Sequence, residues 1–317
     1  MNHKFILTAV TLAVIAGCSP KADCPFSGCV DPAGGGAGGG LMTVDEFNAL
    51  PALREAYYAM QSTAAVPFFV AATGVGEVTT PPVIVDPAGP TAYNCPVTGT
   101  FTVTGMVADP NTVTAGDTIT YDTSACDSGT GYTVDGTHTL DITSIVGDPT
   151  SGLYEQGQTL TFDNFSAATP TLVTSLNGDH SALIDTQSSS AIATGFSGSS
   201  LSIVEDQISI SMRTYSGTAY LQLVPPFNYT LDLIVGSATS SVVTGSFDYR
   251  TDVPIQQLIG EYPNDGILEI FGRDGGTARV AIFDETSVDV QVDANADNNY
   301  ESSTNMTWDQ FLGLAPL

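Results

Sequence analysis

From Cys95 onward, apolar and polar residues alternate along the chain. Phe101 and Val103 alternate with threonines, Leu140 and Ile142 flank Asp141, and Leu160 and Phe162 flank Thr161. Ile208, Ile210 and Met212 alternate with serines, while Leu231, Leu233 and Val235 enclose Asp232. Leu268 and Ile270 flank Glu269, Val280 and Ile282 flank Ala281, and Val288, Val290 and Val292 alternate with Asp289 and Gln291. A period of two buries one face of a strand and wets the other, which is the pattern of an antiparallel sheet. Asn177-Gly178, Asn264-Asp265-Gly266 and Asp274-Gly275-Gly276 read as turns between such strands. Helical periods between the strands are lacking, so βαβ crossovers are not expected. Gly99–Gly105 and Gly266–Gly272 share a glycine-bracketed strand, but no fixed period recurs, which argues against a propeller or solenoid. The expected fold is all-β over residues 95–317: an antiparallel curved sheet, an open barrel or a large β-sandwich.

One amphipathic helix is predicted ahead of this region, over residues 42–62. Val44, Phe47, Leu50, Leu53, Tyr57 and Met60 recur at steps of three and four. Thr43 and Glu46 have capping-box spacing, and Pro51 is expected to kink or split the helix. The helix is expected to cover the β core; the sharper alternative is a lid over a cavity. Residues 63–94, rich in Pro, Gly, Ala and Thr, read as an irregular connector.

The N-terminus carries His3 and Lys4, then an apolar run from Phe5 to Ala16 broken only by two threonines. That run is too short to span a bilayer, which takes about 20 residues, and fits a cleavable signal peptide over residues 1–17. It closes on Ile15-Ala16-Gly17-Cys18. The segment resembles a bacterial lipoprotein signal with its lipobox. The resemblance implies that Cys18 opens the mature chain and carries lipid, and that the membrane is reached through this lipid. Ser19, in place of Asp, implies sorting to the outer membrane, with the domain in the periplasm or on the cell surface. Residues 18–41 then form a tether, with Pro20, Pro25, Pro32 and a glycine-rich run ending at Gly40.

Charge narrows the function classes. The 34 acidic residues face only 7 basic ones, a formal net charge of −27. Phosphate backbones repel such a chain, so nucleic-acid binding is excluded. Thr, Ser, Gly and Asn make up much of the remainder, a mixture suited to strands and turns. After Cys18, four cysteines remain: Cys24, Cys29, Cys95 and Cys126. An even number in an exported chain suggests disulfides, and three pairings are open. The favoured one joins Cys24 to Cys29 and Cys95 to Cys126, with Cys95 ahead of the first strand and Cys126 in a turn. A four-cysteine zinc site would need a second closely spaced pair, and Cys95 and Cys126 lie far apart.

Candidate chemistry is sparse. Asp293, Asn295, Asp297, Asn299 and Glu301 space oxygen ligands as in a calcium loop. The match lacks a glycine at position six, where Asn298 stands, and a glutamate at position twelve, where Thr304 stands. The alternative is an Asx-rich turn after the Val288–Val292 strand. His138 and His180 read as solvated residues at strand starts. Gly195-Phe196-Ser197-Gly198-Ser199 departs from the nucleophile elbow at its last residue. Glu205-Asp206 and Asp284-Glu285 read as solvated turns. Phe227, Tyr229, Phe247 and Tyr249 read as cross-strand core aromatics.

The order of features is similar to a group of uncharacterised proteobacterial envelope lipoproteins. Its marks here are the lipobox, the glycine-rich tether, a Cys-bearing strand, Val134-Asp135-Gly136-Thr137, Leu160-Thr161-Phe162-Asp163-Asn164-Phe165, Tyr262-Pro263, the Asp-rich loop and Thr307-Trp308. The resemblance carries no catalytic residues. The expectation is a non-catalytic outer-membrane lipoprotein that binds an envelope or extracellular protein. Alternatives are a carrier of apolar ligands in a sheet-and-helix cavity, and a glycan-active or hydrolytic module.

Overall fold

A computed structural model describes residues 40–73, 90–108, 114–148, 153–188, 190–205, 208–273 and 275–314. The signal peptide, Cys18, Cys24, Cys29 and nearly all of the tether lie outside the described residues. The fold is all-β and antiparallel, as the alternation predicts, and divides into two compact units. Residues 65–206 form the first unit. Residues 40–64 and 207–317 form the second.

In the first unit, β1 (Thr91–Asn94), β2 (Thr98–Met106), β3 (Thr118–Asp127), β4 (Thr133–Asp148), β5 (Leu153–Ala168), β6 (Val173–Ser188) and β7 (Ala191–Gly198) pair in chain order. β8 (Leu201–Glu205) then pairs with the other half of β6, below β7. Asp179 makes that step possible. Its carboxylate accepts the Ser199 backbone N–H at 3.0 Å and the Ser199 hydroxyl at 2.9 Å.

A seam of bulges crosses these strands. On β3, two residues oppose Asp135 of β4, and Ala125 takes φ 46°. The Asp135 carboxylate accepts the Ala125 N–H at 2.7 Å. On β5, Asn164 repeats the geometry at φ 50°, and the Asn177 side chain of β6 accepts its N–H at 2.8 Å. Each bulge leaves a backbone donor without a ladder partner, and the neighbouring Asx side chain supplies the acceptor. The glycine after each Asx lets the strands close. A Cβ on Gly136 would stand 2.1 Å from the Asn164 carbonyl oxygen, and one on Gly178 would stand 2.0 Å from that of Ser200. Asn177-Gly178 is therefore not a hairpin turn. Its positive φ of 115° is used inside β6, where the strand passes a neighbour's backbone. Asn264-Asp265-Gly266 likewise lies within a strand, and Gly275-Gly276 stands between two strands.

The second unit continues with β9 (Ile208–Gln222), β10 (Asn228–Ser240), β11 (Ser246–Leu258), β12 (Pro263–Phe271), β13 (Thr277–Ile282), β14 (Ser287–Asp293) and β15 (Ser302–Thr307), again paired in order. A bulge in β10 shifts its inward phase. Leu231 is buried, Leu233 is exposed at φ 52°, and Ile234 takes the inward position instead. The Thr251 hydroxyl accepts the Ile234 N–H at 3.0 Å.

The helix is present but displaced. α1 runs over Ala49–Thr73, not 42–62. Its cap is Asp45 with Asn48, whose side chains accept one another's backbone N–H at 3.0 Å. Thr43 instead forms a bridge with Arg273, and Phe47 is exposed. Pro51 falls in the first helical turn, where its missing N–H has no partner to lose, so it does not split the helix. Residues 63–73, expected as connector, are helical, and residues 91–94 form β1. The composition misled because Ala64, Ala65, Val66, Phe68 and Phe69 are buried, and burial outweighs the breaker at Pro67.

In the second unit, Tyr57 of α1 packs on Trp308 and Phe311, with ring centroids 5.7 and 6.1 Å apart. Those two residues belong to α2 (Trp308–Leu312), a short C-terminal helix absent from the sequence reading and held by a capping box at Thr307. In the first unit, Phe69 meets Tyr132 and Phe165 edge to face. Among the described residues, no helix is long and apolar enough to cross a membrane.

Candidate functional site

Both histidines lie inside strands and in the core, which overturns the solvated reading. His138 of β4 is buried, stacked on Tyr121 at 4.9 Å and set edge-on to Phe165 at 5.1 Å. Its Nδ1 meets no hydrogen-bonding group among the described residues. Burial lowers its pKa to about 4. His180 of β6 stacks on Phe196 at 5.9 Å, and burial lowers its pKa to about 3 against the opposing pull of Asp179. The alternation places them there: each stands on the apolar phase of its strand. Of the four aromatics, Tyr229, Phe247 and Tyr249 are core, while Phe227 is exposed beside β10. Asp284 caps its own turn, accepting from Thr286 and Ser287, and these bonds hold its carboxyl below the ordinary value.

The loop after β14 brings its three carboxylate candidates together. One carboxylate oxygen each from Asp293, Asp297 and Glu301 lie within 4.8 Å of one another. Asp293 is buried and the other two are exposed. The Asp293 carboxylate accepts the backbone N–H of Asn298 at 2.8 Å and of Asp297 at 3.3 Å. Asn295 accepts from Asp297 at 2.9 Å, Asp297 from Asn299 at 2.8 Å, and Glu301 from Ala294 at 3.0 Å. Ala296 and Asn298 adopt positive φ to close the loop. Asn295 thus serves the turn, and Asn299 enters through its backbone. Hard oxygens at this separation suit calcium, and a carboxylate that accepts one N–H keeps lone pairs for a cation. The same bonds also make the loop self-supporting. Its neighbour is the β12–β13 turn, where a Cβ on Gly275 would stand 3.0 Å from that of Ala296.

A polar row beside this loop escaped the sequence reading. Arg250, Glu269, Arg279, Gln291 and Ser303 are successive register partners across β11 to β15. Arg250 donates to Glu269 from Nη2 at 2.8 Å and from Nε at 3.1 Å. Tyr300 donates to the other Glu269 oxygen at 3.3 Å, and the Arg279 guanidinium lies 4.1 Å from the Tyr300 ring centroid. Arg279 Nε donates to Gln291 at 2.7 Å. Burial first, then the Glu269 charge, raises the Tyr300 pKa. The five row residues stand on the strand phase opposite the apolar core positions, although Glu269 is itself buried. That much is legible in the sequence; only the register aligns them.

The first unit presents a different polar face. Thr118 donates to Asp141 at 2.7 Å, Thr120 and Thr139 pair at 2.9 Å, Thr137 donates to Asp122 at 3.2 Å, and Thr159 pairs with Ser181 at 3.0 Å. Residues 65–206 contain no lysine or arginine. All five described arginines, Arg54, Arg213, Arg250, Arg273 and Arg279, belong to the second unit.

The expected bridge is present between Cys95 and Cys126. Cys95 stands ahead of β2, the strand that carries Phe101 and Val103, in the turn after β1; Cys126, expected in a turn, lies in β3, next to the Ala125 bulge. No protein-family model, curated protein or solved structure matches the chain.

Proposed function

We propose that this chain is a non-catalytic, lipid-anchored outer-membrane lipoprotein that binds an envelope or extracellular protein. The observation that carries the export half of this reading is the Cys95–Cys126 disulfide, a bond that persists in oxidising compartments. It agrees with the lipobox-like Ile15-Ala16-Gly17-Cys18. Lipid on Cys18 would hold the protein at the membrane, since buried acyl chains contribute about 0.8 kcal/mol per CH₂.

The binding half rests on the hydroxyl-and-carboxylate face of the first unit and its lack of any cation. Such a face disfavours anionic partners and attracts basic ones over a Debye length of about 8 Å at physiological salt. The partner is a protein with an electropositive surface. A carrier role would need α1 to line a cavity, but its Ala52, Leu53, Ala56, Tyr57 and Met60 are packed in the core. A hydrolytic role based on histidine would need an accessible imidazole, and both histidines are buried and stacked on aromatic rings.

The test begins with native membranes. Intact mass should show a chain that starts at Cys18 with acyl adducts, and Cys18→Ser should release the protein into the soluble fraction. A chain that retains Met1, or a processed terminus without lipid, overturns the anchor. Crosslinking on intact cells should then capture a basic partner whose binding weakens as salt rises. Salt-independent binding overturns the electrostatic basis.

A further inference from the structure

The second unit contains a buried carboxyl that the proposed function does not use. Glu55 lies on the same helical stripe as Ala52, Ala56 and Ala59, all fully buried, and is itself only 6% exposed. It faces β10, where the Ser240 hydroxyl donates to its Oε2 at 2.6 Å. The same hydroxyl oxygen accepts the Val242 N–H at 3.1 Å, so Ser240 is oriented by its own turn. Arg54 is the charged group whose field reaches Glu55. Its guanidinium is committed elsewhere, donating to the Gln310 carbonyl at 2.6 Å and to that of Phe311. From β10 the carboxyl meets a hydroxyl and no charge. These contacts join α1 to a strand and a helix 185 and 256 residues further along the chain.

We propose that Glu55 and Ser240 form a proton-governed latch that fastens the first half of α1 to β10, tight in acid and eased above neutrality. Burial disfavours the carboxylate more strongly than Ser240 and Arg54 favour it, and the pKa rises to about 7 from 4.5. With the helix lifted, the carboxyl is in water and returns to its ordinary value. Between these two values, the docked state holds a proton that the open state has released. Docking therefore weakens as pH rises through this window, and is constant above and below it. At tenfold per pH unit, the whole window corresponds to at most about 300-fold in the opening equilibrium.

The test is a carbon-13 titration of the Glu55 carboxyl in the full chain, with hydrogen exchange of the α1 amides from pH 5 to 8. The titration should show a midpoint near 7. Opening at Ala52–Ala59, corrected for base-catalysed exchange, should increase by at most about 100-fold between pH 5 and 7 and level off above. In Glu55→Gln that dependence should vanish. Ser240→Ala removes a donor that favours the charged form, so its midpoint should rise further. A midpoint near 4.5, or the same pH dependence in Glu55→Gln, overturns the latch. Should Glu55→Gln fail to fold, an unmoved midpoint in Ser240→Ala overturns it alone.

Discussion

Gly136 and Asn164 face each other across β4 and β5 so closely that a Cβ on the glycine would stand 2.1 Å from the asparagine's carbonyl oxygen. Gly136 has φ 92° and Asn164 has φ 50°, so each side of the contact requires a backbone that L-residues avoid. Gly136→Ala should destabilise the first unit by at least about 2–3 kcal/mol, through both overlap and strained φ. Asn164→Gly should cost far less, because glycine suits the φ and the side chain loses only an exposed 2.8 Å donation to Asp163. Urea unfolding of both variants decides this, and equal costs for the two would refute the assignment.

The disulfide closes a loop of 31 residues next to this seam. In the chain-entropy model it should contribute about 3–4 kcal/mol. Cys95→Ser with Cys126→Ser should lower the unfolding free energy from urea melts by that amount, and reductant should have no further effect on the double variant. An unchanged midpoint would mean that the bridge is dispensable.

The histidines give the first unit an acid limit. Their ordinary pKa of 6.5 falls to about 4 in His138 and about 3 in His180. The unfolded chain therefore binds protons that the folded chain refuses, and stability falls as pH drops below 6.5. Each histidine should remove about 1.4 kcal/mol per pH unit down to its folded value. Urea melts between pH 6.5 and 4.5 should show this slope, and His138→Phe should reduce it by about half. A flat profile in the wild-type chain would contradict the buried neutral rings.

The 293–301 loop closes on its own backbone through Asp293, which accepts two N–H groups. Asp293→Ala leaves the Asn298 N–H unpaired, while the Asp297 N–H keeps Asn295 as acceptor, and should cost about 1–3 kcal/mol in chelator-treated protein. Thermal melts with chelator and with added calcium test this. A loss that appears only when calcium is present would transfer the role of Asp293 from the backbone to the ion.

Strand identity was legible because it is local. A period of two needs no knowledge of partners, so Leu160 and Phe162 declared their face without β4 or β6. The same alternation had Val288, Val290 and Val292 inward, as they are. It also held the information that His138 and His180 point inward, but their polarity led to the opposite expectation. The row from Arg250 to Ser303 was different in kind, since five positions dispersed over 54 residues become neighbours only when register is set.

The amino-acid order alone determined an acidic, antiparallel β protein with a helix ahead of it, because side-chain periodicity and charge are properties of short stretches. Tertiary structure decided how positive φ was used. Asn177-Gly178 permits a turn or a bulge equally well, and only a neighbouring carbonyl at 2.0 Å from the absent Cβ of Gly178 selects the bulge. Tertiary structure also decided which polar groups share a site and which carboxyl, Glu55, loses its water. Those outcomes depend on what packs against a residue, and that partner is remote in the chain.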